Sequence, residues 1–290
     1  MEAIKLDNLI KHFGSVKAVA GVSFTVQEGD IFGFLGPNGA GKTTTIRCLM
    51  DFIRPSAGKI TLFGKDAQLE SVSLKNDIGY LSSDTHLYNK WTGLEHIKYV
   101  QAFKGASPLL QPLIKRLNYD PTRRVKNLST GNKQKLNFIL ALLGKPKLLI
   151  LDEPTRGLDP ILQNEVYLIL QEFQQQGGTV FFSSHNMAEV EKICTRTAII
   201  RSGKLVVVEN ITDLKGRNIH IGHVTFAEKV TLPELSIKNV KFVAEKNAGY
   251  SFTITGELKD FFKTIGRYTI TDFDLNHASL EDVFLNYYKK

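Results

Sequence analysis

The stretch Gly36-Pro37-Asn38-Gly39-Ala40-Gly41-Lys42-Thr43-Thr44 constrains this chain more than any other. It fits the phosphate-binding pattern G-x-x-x-x-G-K-[ST], in which glycines let backbone N–H groups curve around a polyphosphate where a Cβ would obstruct them. Lys42 is then placed to reach the β- and γ-phosphates and the Thr43 hydroxyl to ligate Mg²⁺. The flanks agree. Ile31-Phe32-Gly33-Phe34-Leu35 is an apolar run that reads as a buried strand, and residues 44–50 read as a helix. A strand, a glycine loop and a helix N-terminus together form an anion site. The plainer alternative is a glycine-rich turn that binds nothing.

Two further apolar runs end in groups of matching chemistry. Leu148-Leu149-Ile150-Leu151 stops at Asp152-Glu153-Pro154, and Thr179-Val180-Phe181-Phe182 stops at Ser183-Ser184-His185. Continuous apolar runs are what strands buried on both faces of a parallel sheet look like. Ligands bind such sheets outside the carboxyl ends of the strands. Asp152 is suited to hold the water shell of Mg²⁺, and Glu153 to orient and polarise an attacking water as general base. An acidic pair at a strand end can also simply face solvent, and a single His at a strand end is ordinary. Three strand ends carrying Lys/Thr, Asp/Glu and His favour a phosphoryl-transfer site.

With these residues in place, residues 1–215 resemble the nucleotide-binding subunits of ABC transporters. Gly36 to Thr44 resembles Walker A, and Leu148 to Glu153 resembles Walker B with its catalytic glutamate. Gly157-Leu158-Asp159-Pro160 is similar to the D-loop, which adds Asp159 to the nucleotide-binding set, and His185 to the switch histidine. Phe13 stands where the family places an aromatic residue on adenine. Leu128-Ser129-Thr130-Gly131-Asn132 resembles the LSGGQ signature. The resemblance implies that Ser129 and Gly131 touch the γ-phosphate of an opposite subunit, two cassettes closing head-to-tail on two nucleotides. It implies ATP and Mg²⁺ as cofactors and a P-loop NTPase (RecA-like) α/β fold. An antiparallel β subdomain, a helical signature subdomain over about 82–145 and a small C-terminal α+β domain complete that expectation.

Two departures stand out. Thr130 and Asn132 replace a glycine and a glutamine of the signature, and Thr130 adds a β-branched side chain where the family offers bare backbone. The run Ile78-Gly79-Tyr80-Leu81 resembles the entry to the Q-loop, yet Ser82-Ser83-Asp84 follows in place of the glutamine. An oxygen of Ser83 or Asp84 is left to stand in for the missing amide; Ser83 is assigned to the metal with Thr43 and Asp152.

Length and charge bound the remainder. The 290 residues fit one large domain and one small one, and 42 % apolar residues can fill both cores. No run reaches the roughly 18 apolar residues of a membrane span, and the N-terminus does not resemble a signal peptide. Cys48 and Cys194 lack metal-ligand spacing and read as buried reduced thiols. The net charge of +8 is densest at Arg123-Arg124-Val125-Lys126, without interleaved aromatics to stack bases. A solvated face or a contact with anionic headgroups fits better, and a nucleic-acid partner is not expected. Tyr88 and Trp91 mark a surface for docking a permease, with core packing of the Trp as the alternative.

After Glu209 the pattern changes. Residues 211–215 read as a connector, 220–226, 238–244, 250–255 and 268–275 as strands, 258–265 and 279–288 as helices, with hairpin chemistry at 245–249. The run Ala278-Ser279-Leu280-Glu281-Asp282-Val283-Phe284-Leu285 resembles the tail of ATPases paired with ABC-2-type exporters. The chain is therefore expected to be an ATP-hydrolysing subunit energising a permease on a separate chain. It would pair with a second ATPase subunit, a copy or a paralogue, at the cytoplasmic face of the cell membrane. The other class, a soluble ABC ATPase acting on ribosomes or nucleic acid, is disfavoured by the single cassette and the absence of sustained heptads.

Overall fold

The computed structural model describes residues 1–84, 86–211, 219–244 and 249–278. They fall in two compact units, 1–209 and 210–290. In the first, the phosphate-loop strand β3 (Ile31–Leu35) forms the middle of a six-stranded sheet because its residues are buried on both faces. It pairs in parallel with β8 (Thr179–Ser184), which pairs with β7 (Leu148–Asp152), itself beside β6 (Ile78–Leu81). On its other side lies β9 (Arg196–Arg201), also parallel, with β10 (Lys204–Asn210) at the edge. The register sets Leu35 beside Ser184 and Asp152 beside Ser183. The strand ends that the sequence singled out therefore lie side by side.

A second sheet, of β1 (Glu2–Phe13), β2 (Val16–Gln27), β4 (Ala57–Leu62) and β5 (Lys65–Asp66), is antiparallel throughout. Phe24 of β2 stacks on Phe32 of β3 at 5.3 Å and on Phe181 of β8 at 6.0 Å between ring centroids. These rings join the two sheets into one core. Burying each is worth about 2 kcal/mol before any ring–ring geometry is counted. Cys48 and Cys194 are buried and free, and burial pushes the Cys48 thiol up to about 11.

The segment between β6 and β7 is helical, as expected. It holds α3 (Gly93–Lys104), α4 (Leu110–Arg116) and α5 (Thr130–Leu143), numbered after α1 (Lys42–Leu49) and α2 (Ser71–Leu74). A full capping box of Thr92 and Glu95 starts α3. Pro112 lies inside the first turn of α4, where the missing N–H has no helical acceptor to lose. After β7 come α6 (Pro160–Gln175) and α7 (Met187–Ile193).

The second unit is a four-stranded antiparallel sheet in the order β12 (Val240–Ala244), β13 (Gly249–Thr255), β11 (Ile219–Phe226), β14 (Ile270–His277). Helix α8 (Lys259–Ile265) closes one face through Phe261, whose ring lies 4.5 Å from that of Phe252. The last strand starts two residues later than the pattern suggested. Tyr268 instead lies in the turn after α8, its N–H donating to the Ile265 carbonyl while its ring packs edge-on against Phe226. The hairpin residues 245–248, residues 212–215 of the expected connector and the terminal helix expected at 279–288 lie outside the described residues.

Candidate active site

The turn from β3 into α1 is shaped by close approach. A Cβ on Gly36 would lie 2.3 Å from the Ile200 carbonyl oxygen, and one on Gly41 would lie 2.5 Å from that of Ala18. Gly41 also caps α1 at φ +109°, a left-handed value that a side chain resists. This turn leaves the first amides of α1 facing outward. Lys42 is only 6 % exposed and folds back over the loop, donating to the Gly36 carbonyl at 2.6 Å and the Pro37 carbonyl at 3.3 Å.

Opposite Lys42 stand the two carboxylates. Asp152 is wholly buried and accepts from three hydroxyls: Thr43 at 2.8 Å, Ser83 at 2.8 Å and Ser183 at 2.5 Å. Glu153 sits at φ +53° and aims its carboxylate into the cleft. One oxygen lies 3.5 Å from Lys42 Nζ, and the other lies 2.7 Å from Nδ1 of His185. The turn that carries it is fixed from behind. Gln134 of α5 donates Nε2 to the carbonyls of Glu153 and Pro154, at 3.0 and 2.9 Å. Thr155 donates to the buried Glu189, which also accepts from Tyr167 and Ser184. Burial, then the Glu189 charge, push the Tyr167 phenol well above its ordinary value.

These groups open onto a cleft of about 550 Å³ lined by residues 37–44 with Ser83, Glu153, Arg156 and His185, and by residues 16–18, 202 and 203 on the other lip. Of the residues that the sequence singled out, Pro37, Asn38, Gly39, Ala40, Gly41, Lys42, Thr43, Thr44, Ser83, Glu153 and His185 meet here, with Asp152 hydrogen-bonded beneath. Gly36 makes the turn behind them. Phe13 is half-exposed at the end of β1 and does not line the cleft, although Val16, its partner across the hairpin, does.

Ser129, Gly131 and Asp159 also lie elsewhere. Ser129 caps α5 by accepting from the Asn132 N–H, and Asp159 caps α6 by accepting from Ile161 and Leu162. A Cβ on Gly131 would lie 2.6 Å from the Gly157 carbonyl, so the signature glycine is required by the D-loop of its own chain. Trp91, read as exposed or core, is half-buried against Tyr88 and Tyr99, at 4.7 and 5.6 Å. The sequence reading missed Gln134, Arg156 and the 202–203 turn. Arg156 had a signal, lying three residues beyond Glu153; Gln134 and the turn arrive through tertiary packing alone.

Thr43, Ser83 and Asp152 converge as oxygen donors without nitrogen or sulfur, which suits Mg²⁺, a cation that takes few protein ligands alongside substrate phosphate and water. The glycine cradle, the α1 N-terminus and Lys42 suit a polyphosphate.

Residues 19–156 match the family described as ABC transporter. The chain is 33 % identical to YhaQ of Bacillus subtilis, an ABC transporter ATP-binding protein, over 97 % of each chain. The chain belongs to the ABC transporter ATP-binding proteins. Some other relatives of this ABC subunit are named for transport, resistance or export. The bacitracin transport ATP-binding protein BcrA of Bacillus licheniformis is 37 % identical over 74 % of this chain and 72 % of its own. A solved ATP-binding subunit of an ABC transporter superposes with a TM-score of 0.68 at 25 % identity, covering 74 % of this chain and 92 % of its own. The dimeric cassette MJ0796 shares the fold at a TM-score of 0.66 and 21 % identity, over 72 % of this chain and 98 % of its own. No helix among the described residues is long and apolar enough to cross a membrane.

Proposed function

We propose that this chain hydrolyses ATP to ADP and phosphate and thereby drives a membrane permease, on a separate chain, that exports its cargo. Residues 1–215 act as the cassette, with 82–145 as its helical subdomain and 216–290 as an accessory domain. The observation that carries the reading is Glu153, held between Lys42 and His185 above the buried Asp152. Lys42 neutralises the β- and γ-phosphates once it exchanges its two loop carbonyls for them. Thr43, Ser83 and Asp152 would hold Mg²⁺, which would supply charge neutralisation toward the phosphates. Glu153 orients the attacking water and takes up its proton, and His185 fixes the carboxylate that does so.

Residue placement also supports pairing of two cassettes. Ser129 and Gly131 are remote from the cleft of their own subunit, which fits a role in completing a partner's cleft. Permease docking is assigned to the groove of about 660 Å³ beside β6 and α3, where Phe52, Tyr80, Tyr88 and Tyr99 meet Arg47 and Asp84. Export is favoured over import by the Nod factor export ATP-binding protein I of Burkholderia lata, 34 % identical over 70 % of this chain. The test is phosphate release by the purified chain with Mg²⁺ and ATP, alone and with the permease co-expressed. Turnover that rises with the permease supports the reading; a folded chain that releases no phosphate in either state overturns it.

A further inference from the structure

Glu153 and Asp152 place negative charge beside a cleft built to receive a polyanion, and the cations that answer them are unevenly engaged. Lys42 is shared with Glu153 and two loop carbonyls, and His185 is bound to the same carboxylate. Arg156 lines the cleft as well, exposed, on the turn that follows Glu153. Its backbone N–H donates to the Glu153 carbonyl at 3.2 Å, while its guanidinium has no hydrogen bond or ion pair among the described residues. The anchors described above, Gln134 on one side and Thr155 with Glu189 on the other, fix where the side chain starts. A guanidinium fork held at a fixed root and lacking an acceptor suits a phosphate oxygen better than a mobile ammonium does.

Position separates Arg156 from the other unengaged cation of the cleft. Lys17, on β2 of the antiparallel sheet, sits on the opposite lip beside the 202–203 turn. Arg156 shares its lip with Glu153 and His185, where a nucleotide's terminal phosphate must reach the general base. We infer that Arg156 binds the γ-phosphate in its own subunit's cleft and stabilises the charge that builds on it during hydrolysis. This rests on the ATPase reading above and adds a second cation to Lys42. A cation gripping only the terminal phosphate also distinguishes ATP from ADP, so the same contact weakens when phosphate leaves.

The experiment measures binding of the β,γ-imido analogue of ATP and of ADP, each with Mg²⁺, to the full chain and its Arg156→Ala and Lys17→Ala variants. Arg156→Ala should weaken the analogue about tenfold while ADP changes by less than about twofold, the loss expected for one charge-assisted contact. It should also lower kcat at saturating ATP by at least about tenfold, since transition-state charge is affected more than binding. Arg156→Lys should restore most of the analogue's affinity and less of kcat. Lys17→Ala should weaken both ligands equally. Should Arg156→Ala melt early, Arg156→Gln repeats the test with the charge removed and the length kept. Equal loss of analogue and ADP, or no loss of either, overturns the inference while leaving the ATPase reading intact. So does an Arg156→Ala subunit that binds the analogue normally but no longer pairs in its presence, because the contact then lies on a partner chain. A wild-type chain that binds neither nucleotide overturns both readings.

Discussion

The phosphate cleft and the signature segment are both read from short motifs, yet the structure treats them differently. In the cleft, each chemical group is connected to another from the same site: Asp152 to Thr43 and Ser83, Glu153 to Lys42 and His185. In the signature segment the polar groups are spent locally. Ser129 caps its own helix, and Gly131 makes room for the Gly157 carbonyl. The first region is therefore preorganised within one chain. The second presents an exposed helix start whose geometry is settled by its own D-loop.

Substitutions on either side can break that contrast. The largest effect is expected for Lys42→Ala, which removes the buried cation of the cleft: turnover should fall about a thousandfold and ATP binding with it, with the melting temperature nearly unchanged. Wild-type turnover in this variant would mean that the cleft is not the site of chemistry. Glu153→Gln should cut turnover about a hundredfold and retain Mg²⁺-ATP. Gel filtration with and without Mg²⁺-ATP then reads the second region, since pairing should accumulate when hydrolysis cannot release it. Slow hydrolysis without a gain in mass would deny pairing of identical chains and leave the general-base role standing.

Ser83→Ala tests whether this serine stands in for the absent glutamine. Asp152 would lose one of its three hydroxyl donors, and turnover should drop about tenfold at limiting Mg²⁺ and recover partly as Mg²⁺ is raised. A loss independent of Mg²⁺ would assign Ser83 to packing. The smallest effect is expected in the signature. Thr130→Gly with Asn132→Gln should raise turnover of the isolated subunit about threefold, because Thr130 begins α5 with its Cγ2 beside Gly157 and stiffens the surface offered to a partner. An unchanged or lower rate would show that these departures do not limit pairing.

What the sequence disclosed divides along the same line. The loop from Gly36 to Thr44 and the runs ending in Glu153 and His185 are legible because each combines a local backbone demand with a buried strand. Their adjacency was inferable, since the strands are parallel and buried on both faces. The 202–203 lip of the cleft was not legible, because it is an ordinary turn between β9 and β10 brought there by sheet order. Gln134 escaped for a related reason: it is one polar residue in an amphipathic helix, and only packing of α5 behind Glu153 gives it two carbonyls to hold.

Glu153 carries one more consequence. Its backbone lies at φ +53°, a conformation that costs an ordinary L-residue about 1 kcal/mol and a glycine almost nothing. Selection for thermal resistance alone would favour Glu153→Gly, whereas selection for turnover would reject it. Laboratory evolution under heat without a demand for activity should therefore drift toward inert, sturdier descendants through this codon, and any thermostabilising campaign on the subunit needs an activity screen at every round.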